Sequence, residues 1–519
     1  MTTEVGGASS DEASVDRELS HPEILRILAG LLAGMFTALI SSTIVANALP
    51  TIIADLQGSQ TQYTWVVTSS LLAMTVSTPI WGKLADLVDK RVLVQVALGT
   101  FVVGSVLAGL AQDVPQLIAM RVVQGLGMGG LTSTAIAIIG TIIAPRQRGR
   151  YSGYLGATMA VATVSGPLLG GVIVDSLGWR WCFFVCVPLA VVASVVLQRF
   201  LRLPHRPDTG RRPRLDVLGA VVISAAASIP LLWVTFAGDA YPWLSWTTAA
   251  CWTATAVLVA VAVRVERRHP DPMVPVDVLT ERTTVLAILG SVAVGMAMFG
   301  GSVFLGQYFQ VAGGHSPTVA GLLGMPLMVG SLVGTITSGQ LITRLGRWKV
   351  FLVLGSVLLV SGLGLLATVD HTTPEWHAMG AMAVMGVGMG MLLQNYVLAV
   401  QNTVDVDQVG AASASVMFFR SLGGTIGVSV LGAILAARVR DDITSRLPAG
   451  GSPGAGGSLL DVDALPAPVA EIVRQAYGDA TGTIFAVAAC IAVVSLVAAL
   501  LMREVPLRTT VRVEETPPG

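Results

Sequence analysis

Fourteen separate stretches of this chain are apolar for about the length of a bilayer crossing, and many of them run for 18 residues or more without a charge. Nothing else in the sequence limits the fold so tightly. The spacing predicts spans near 25–48, 64–84, 92–111, 115–143, 151–175, 181–199, 216–237, 244–264, 284–312, 317–343, 350–369, 377–402, 411–436 and 480–502. The expected fold is therefore an all-α membrane protein. Charged residues make up 12% of the chain, about half of what a soluble domain carries, and the hydrophobic share is 53%. At roughly 20 residues per span, fourteen helices use about 280 residues and leave no loop long enough for a sizeable folded domain. Function is expected within the bundle.

A balance of 31 basic against 31 acidic residues gives no basic surface for nucleic acid, and none is expected as a partner. Cys182, Cys186, Cys251 and Cys490 all fall in apolar segments, so neither a disulfide framework nor a metal site is indicated. There is no Gly-rich phosphate loop ending in Gly-Lys-[Ser/Thr] and no His-Glu-x-x-His, so ATP-driven pumping and metalloprotease chemistry find no support. No cofactor and no catalytic residue are expected, and the protein is not read as an enzyme. Residues 1–24 lack a signal-peptide pattern and read as a disordered tail.

Lys/Arg counting sets the orientation. With the N-terminus inside, inner segments hold 24 of the 31 basic residues and outer segments five, while Arg121 and Arg420 lie within spans. Both termini are expected in the cytoplasm, with the chain a multi-pass protein of the plasma membrane.

The spans at 216–237 and 244–264 are joined by a short aromatic turn and flanked by basic stretches, so residues 201–282 read as an inserted hairpin. Six spans precede it in residues 25–200 and six follow in 283–503, with 504–519 a cytoplasmic tail. Gly125-Leu-Gly127-Met128-Gly129 recurs as Gly386-Val-Gly388-Met389-Gly390, and Gly82-Lys-Leu84 is echoed by Gly339-Gln-Leu341. The offsets, 261 and 257 residues, suggest an internal duplication. Two parallel six-span repeats form the architecture of a rocking transporter with its site between the halves.

Gly82-Lys83-Leu84-Ala85-Asp86-Leu87-Val88-Asp89-Lys90-Arg91, between spans 2 and 3, resembles motif A of the major facilitator superfamily, with Asp89 and Leu87 departing from its glycine and basic positions. Arg121-Val-Val-Gln124-Gly125 resembles motif B. Gly153 and Gly166-Pro167-Leu-Leu-Gly170-Gly171 in span 5 resemble motif C, with Ala162 replacing a further glycine. With fourteen spans, Ser42-Thr43-Ile44-Val45-Ala46-Asn47-Ala48-Leu49-Pro50 and Trp179-Arg180-Trp181, the chain is similar to the fourteen-helix drug:proton antiporter family from about residue 25 to 503. The resemblance implies the major facilitator fold, two six-helix bundles plus the inserted pair. It also implies export of small drug- or antibiotic-like molecules against proton entry, with the proton gradient as energy source. Gly82, Asp86, Lys90 and Arg91 would form a conformational latch, and an aspartate beside a helix N-terminus gains roughly 0.3–1 kcal/mol from the macrodipole. Gly153, Gly166, Pro167, Gly170 and Gly171 would pack a bent helix closely on its neighbours. A monomer working with a small-molecule substrate in a lipid bilayer is expected.

Ser41 stands where the family usually places an aspartate, and no Asp or Glu lies in the middle of any span. At 1.5 Å per residue Ser41 is about 12 Å deep and Arg121 about 9 Å, near one level. Arg121 is expected to find hydroxyl, amide or carbonyl partners such as Ser41, Ser42 or Gln124, or an anionic ligand. Without a carboxylate to offset a cationic substrate, neutral, zwitterionic or anionic cargo is expected over permanent cations. The coupling or substrate candidates are Ser41, Arg121, Gln124, Gln307, Gln310, Gln394, Asn395 and Arg420, with Gln307 and Asn395 placed first by depth. Met296, Met298, Met325 and Met389 would suit a deformable pocket. The segment 437–479 is read as the longest outer loop, with a short surface helix over its later half. Two other functions stay open: uptake or facilitated passage on the same scaffold, and a non-transporting membrane enzyme or sensor, which would need a nucleophile–base pair or a soluble domain.

Overall fold

A computed structural model describes residues 21–142, 148–201, 217–236, 245–268, 280–404, 409–446, 462 and 466–506. Among the described residues the regular structure is helical throughout. The first half comprises α1 (His21–Asp55), α2 (Gln60–Leu87), α3 (Lys90–Gly109), α4 (Val114–Ile142), α5 (Arg148–Leu177), α6 (Trp181–Phe184) and α7 (Cys186–Phe200). A hairpin follows, α8 (Val217–Phe236) and α9 (Trp246–Glu266). The second half comprises α10 (Arg282–Gln307), α11 (Pro317–Leu323), α12 (Met325–Leu345), α13 (Lys349–Leu366), α14 (Glu375–Thr403), α15 (Val409–Arg446) and α16 (Ala467–Leu501). Helices α6 and α7 share one crossing, as do α11 and α12, while a π turn at Tyr308–Ala312 prolongs α10. The crossings number fourteen among the described residues.

Eleven of these crossings are long and apolar enough to span a membrane on composition alone. Helices α5 and α8 have shorter apolar stretches. The fourteenth, α2, is diluted by serine and threonine, and Thr64, Thr68, Ser69, Ser70, Thr75 and Ser77 are all buried inside the protein. Several of its hydroxyls bond back to the helix, Ser70 Oγ donating to Val67 O at 2.9 Å and Thr78 Oγ1 to Met74 O at 2.7 Å, whereas buried Thr75 Oγ1 makes no hydrogen bond. A helix can therefore cross with a polar inner face while its lipid-facing side stays apolar. Ser59 and Gln62 start it with a reciprocal capping box.

The repeated glycines pack in matching register. Gly125 and Gly129 of α4 lie on the backbone carbonyls of Ser70 and Met74 of α2; Gly386 and Gly390 of α14 lie on those of Leu327 and Ser331 of α12. Ser70 and Leu327, like Met74 and Ser331, are 257 residues apart, the offset of the second sequence repeat. Likewise Gly104 of α3 abuts Gln124, and Gly362 of α13 abuts Met385. A side chain at any of these positions would force the backbones apart. The duplication thus reappears as equivalent helix contacts, and it aligns Arg121 and Gln124 with Met382 and Met385.

The hairpin docks on the seam between the halves, where α8 packs on both α2 and α15. Trp233 Nε1 donates to Thr248 Oγ1 at 3.0 Å, and the Trp233 ring meets Trp252 edge-on at 5.4 Å. Helix α9 buries none of its apolar stretch inside the protein, as befits a helix facing lipid.

Within the segment expected to be a loop at 437–479, the described residues 437–446 and 467–479 are helical instead. Helix α15 runs on to Arg446 and α16 begins at Ala467, so the expected surface helix is continuous with the last crossing. Hydropathy ends where the bilayer ends, but these extensions are held by polar pairing: Arg446 Nη2 lies 2.9 Å from Asp442 and 3.1 Å from Asp479, which His371 Nδ1 meets at 2.8 Å. The Gly-rich linker at 448–458 lies outside the described residues, as do residues 1–20 and 507–519.

Candidate functional site between the two halves

With fourteen crossings, odd-numbered crossings start on the side where α1 begins and α16 ends, here the terminal side, and the opposite side is the far side. At the far ends the two halves are stitched together. Asn47 of α1 donates through Nδ2 to Pro167 O of α5 and to Pro317 O at the start of α11, each at 3.0 Å, while its own carbonyl accepts from Gln310 Nε2 at 2.7 Å. Gln307 Nε2 donates to Gln60 Oε1 at 2.6 Å, and Tyr477 Oη lies 3.1 Å from the same oxygen. Tyr63 Oη donates to Val303 O at 3.2 Å, Thr318 N to Asp175 at 3.1 Å, and Thr68 pairs with Ser429 at 3.3 Å. Each of these bonds lies in the far half of its helices.

Glycines bring the backbones close enough for this seal. Gly166 abuts Thr43, Gly170 the backbone of Ile44, and Gly171 the Pro317–Thr318 peptide, with Gly321 answering against Pro167 O. The three span-5 glycines and the proline therefore form the face on which α1 and α11 close. Gly153 lies on α5, but its surroundings are outside the described residues. Nearby, Gly178 turns the chain with φ +88°, a conformation that favours glycine, and delivers Trp179 so that its Nε1 donates to Asp55 at 2.8 Å. Arg180 stacks 4.2 Å over the Trp179 ring. Under the seal, Thr43, Asn47, Pro167, Ser302, Met328 and Met382 line a pocket with ≈ 30 Å³ of water-accessible space, room for a water or two and far too small for a drug-sized molecule.

Arg121 and Gln124 form a second cluster, enclosed in the first half. Arg121 is 2% exposed, and its guanidinium donates to Gln124 Oε1, to Ser70 Oγ at 2.6 Å and to Val66 O at 3.3 Å. Gln124 Nε2 donates onward to Ser41 Oγ at 3.1 Å and Ser105 Oγ at 2.7 Å. Ser41 and Arg121 are thus at one level, as their depths suggest, but meet only through Gln124, and Ser42 has no part in the cluster. The network ties α1, α2, α3 and α4 together and leaves Arg121 no open face toward cargo. In the second half the equivalent positions are apolar: Leu327, Leu363, Met382 and Met385, all buried.

The remaining candidates divide. Gln307 and Gln310 belong to the far-side seal. Asn395, one of the two placed first by depth, is buried and turned back on its own helix, donating to Met391 O at 2.6 Å. Its neighbour Gln394 is exposed, and Arg420 is half-buried with Nη1 donating to Leu393 O at 2.9 Å. Of the latch residues, Asp86 has its side chain outside the described residues, Gly82 and Lys90 are half-buried, and Arg91 donates to Gln198 O of α7. The aspartate that caps α3 is Asp89, which accepts from Arg91 N at 2.8 Å. The family departure at this position supplies an N-cap. Among the four cysteines, Cys182 and Cys186 are buried, whereas Cys490 is exposed on α16. Asn47, Gln60, Tyr63 and Tyr477 were not marked by the sequence as site residues. Asn47 carried a signal, a lone amide in an apolar span, and Gln60 lies just outside the expected one.

A family model described as the Major Facilitator Superfamily matches residues 31–428. An MFS-type transporter of Mycobacterium tuberculosis (strain ATCC 25618 / H37Rv) is 35% identical over 93% of this chain and 70% of its own length. The multidrug transporter protein MdtP of Bacillus subtilis (strain 168) is 32% identical over 87% of this chain and 81% of its own. Among solved structures, a bacterial homologue of the human lysosomal transporter Spinster, in an inward-facing and unoccupied conformation, aligns with TM-score 0.64 at 16% identity, covering 93% of this chain and 97% of that one, a likeness of fold. With the family model spanning most of the crossings and relatives of this identity along nearly the whole chain, the protein is a membrane transporter of the Major Facilitator Superfamily.

Proposed function

We propose that the protein is a secondary active exporter of small amphipathic molecules, working by alternating access with proton entry as the driving reaction. The observation that carries this reading is the far-side seal, in which the span-5 glycines and Pro167 close directly on α1 and α11. A seal made of single hydrogen bonds and backbone contacts can open without unfolding either half, because each half is held by its own interior packing. The relative named as a multidrug transporter supports a drug-like cargo, and relatives named as efflux pumps, at 29–30% identity, support the outward direction. The excess of basic residues on the terminal side supports a cytoplasmic location for both ends, so the closed far side faces outward and the protein rests facing inward.

On this reading the half-buried stripe Leu32, Phe36, Leu39 and Thr43 on α1 lines the way from the cytoplasm to the seal. These positions recur every three or four residues and share a face with Asn47. Loading occurs from the cytoplasm, the seal opens as the terminal side closes, and proton entry returns the carrier. The test is export from everted vesicles containing the reconstituted chain. Accumulation of a fluorescent amphipath should require an acid interior and stop when the gradient is collapsed. Accumulation that needs ATP and ignores the gradient would reject the proposal.

A further inference from the structure

One polar pair in the membrane interior is absorbed neither by the far-side seal nor by the Arg121 network. Helices α14 and α15 are antiparallel and joined by a short connection on the terminal side. Near that connection Gln401 Nε2 donates to Ser413 Oγ at 2.9 Å. Gln394 lies seven residues from Gln401, and Arg420 seven residues from Ser413, two turns deeper on each helix. The pair Gln394 and Arg420 therefore sits at one level on the facing sides of α14 and α15. Counted from the start of α15, Arg420 is about 16 Å in, close to the middle of a 30 Å hydrocarbon layer.

Arg420 does not look into lipid. It shares a face with Gly424 and Gly427, and that face packs on α10, against Phe299 and Met296. Its backbone carbonyl abuts Gly295 of the same helix. Yet the side chain is only half-buried, its one described hydrogen bond goes to Leu393 O, and Gln394 beside it is exposed. Phe299, one turn further along, is also half-buried. A guanidinium with spare donors, an amide and an aromatic ring thus lie at neighbouring levels of α15, α14 and α10. In a membrane interior such donors need a partner, and a guanidinium is matched best by a carboxylate that takes two parallel hydrogen bonds.

We infer that Arg420 and Gln394 form a recognition site for the carboxylate of an amphipathic organic anion, with Phe299 beside its apolar body. This rests on the exporter reading for its direction but not for its chemistry, because the site selects by charge whichever way cargo moves. The first half contributes no competing cation, since Arg121 is fully enclosed. With no carboxylate in the middle of any span, a cationic amphipath would meet only repulsion at this level.

The experiment measures binding to the purified full chain by fluorescence anisotropy of 1-pyrenebutyrate, its methyl ester and a pyrene bearing a trimethylammonium chain. It needs neither a gradient nor a direction of transport, so its failure is separate from failure of vesicle export. The wild type should bind the carboxylate about tenfold or more tighter than the ester, and the cation most weakly. Arg420→Gln should erase the preference and Arg420→Lys keep part of it. Gln394→Glu, at an exposed position where folding is not at stake, should occupy Arg420 from within, abolish carboxylate binding and raise binding of the cation. Equal binding of acid and ester by the wild type, or an undiminished carboxylate preference in both Arg420→Gln and Gln394→Glu, would overturn the assignment.

Discussion

Removing the Asn47 amide is the sharpest probe of the seal. Its Nδ2 makes two hydrogen bonds across helices, to Pro167 O and Pro317 O, both at 3.0 Å, and the second crosses between the halves. Asn47→Ala deletes both, while the Gln310 bond to the Asn47 backbone carbonyl survives. A net hydrogen bond in this setting is worth about 1 kcal/mol. Only the bond to Pro317 O breaks on opening, so the closed far side should lose about 1 kcal/mol relative to the open one, where water can reach the freed carbonyl, and the closed-to-open ratio should fall about fivefold. Spin labels at Gln112 and Trp376, both exposed at far-side helix ends of opposite halves, report this by pulsed dipolar spectroscopy in a background with Cys251 and Cys490 changed to serine. Asn47→Ala should add a longer-distance population. A distance distribution identical to that of the parent would refute the claim that Asn47 holds the halves together.

Gln124→Met should cost about 2–3 kcal/mol by stripping Arg121 of an acceptor and Ser41 and Ser105 of their donor. The double change Arg121→Met with Gln124→Met, which copies Met382 and Met385, should unfold at a higher midpoint in detergent than the single variant, because it leaves no stranded charge; a lower midpoint for the double variant would contradict this. Gly171→Leu should block turnover while preserving membrane insertion, since its side chain would run into the Pro317–Thr318 backbone, and wild-type transport rates would show that α5 and α11 need not touch. Arg91→Ala and Asp86→Asn should slow turnover more than they weaken binding, and unchanged rates in both would remove this loop from the cycle.

The crossings, the hairpin and the duplication were legible because each leaves a local trace: a long apolar run, a pair of short connections, glycines at a repeated spacing. Partners across the interface left none. Asn47 finds carbonyls 120 and 270 residues away, and no periodicity in α1 names them. Depth was readable but direction was not: Gln394 and Asn395 differ by one residue, yet the 100° turn between them sends one into the open and the other against its own helix. Arg121 was expected at one level with Ser41 and reaches it only through Gln124, and only the folded α2 and α3 supply the serines and carbonyl that enclose this pair. The helical extensions of α15 and α16 were hidden because hydropathy reports where the bilayer stops and says nothing of a helix that continues on charge pairing.

The position of the hairpin gives the two flanks of the transporter different boundaries with the lipid. Where α2 meets α15, the helix α8 lies over the join, and α9 over α8. Where α5 meets α11 and α12, no described helix covers the join. A molecule dissolved in the bilayer and diffusing around the protein therefore finds one flank shuttered and one bare. For cargo that reached the carrier from the membrane rather than from water, the extra pair of helices would leave the uncovered flank as the side of approach.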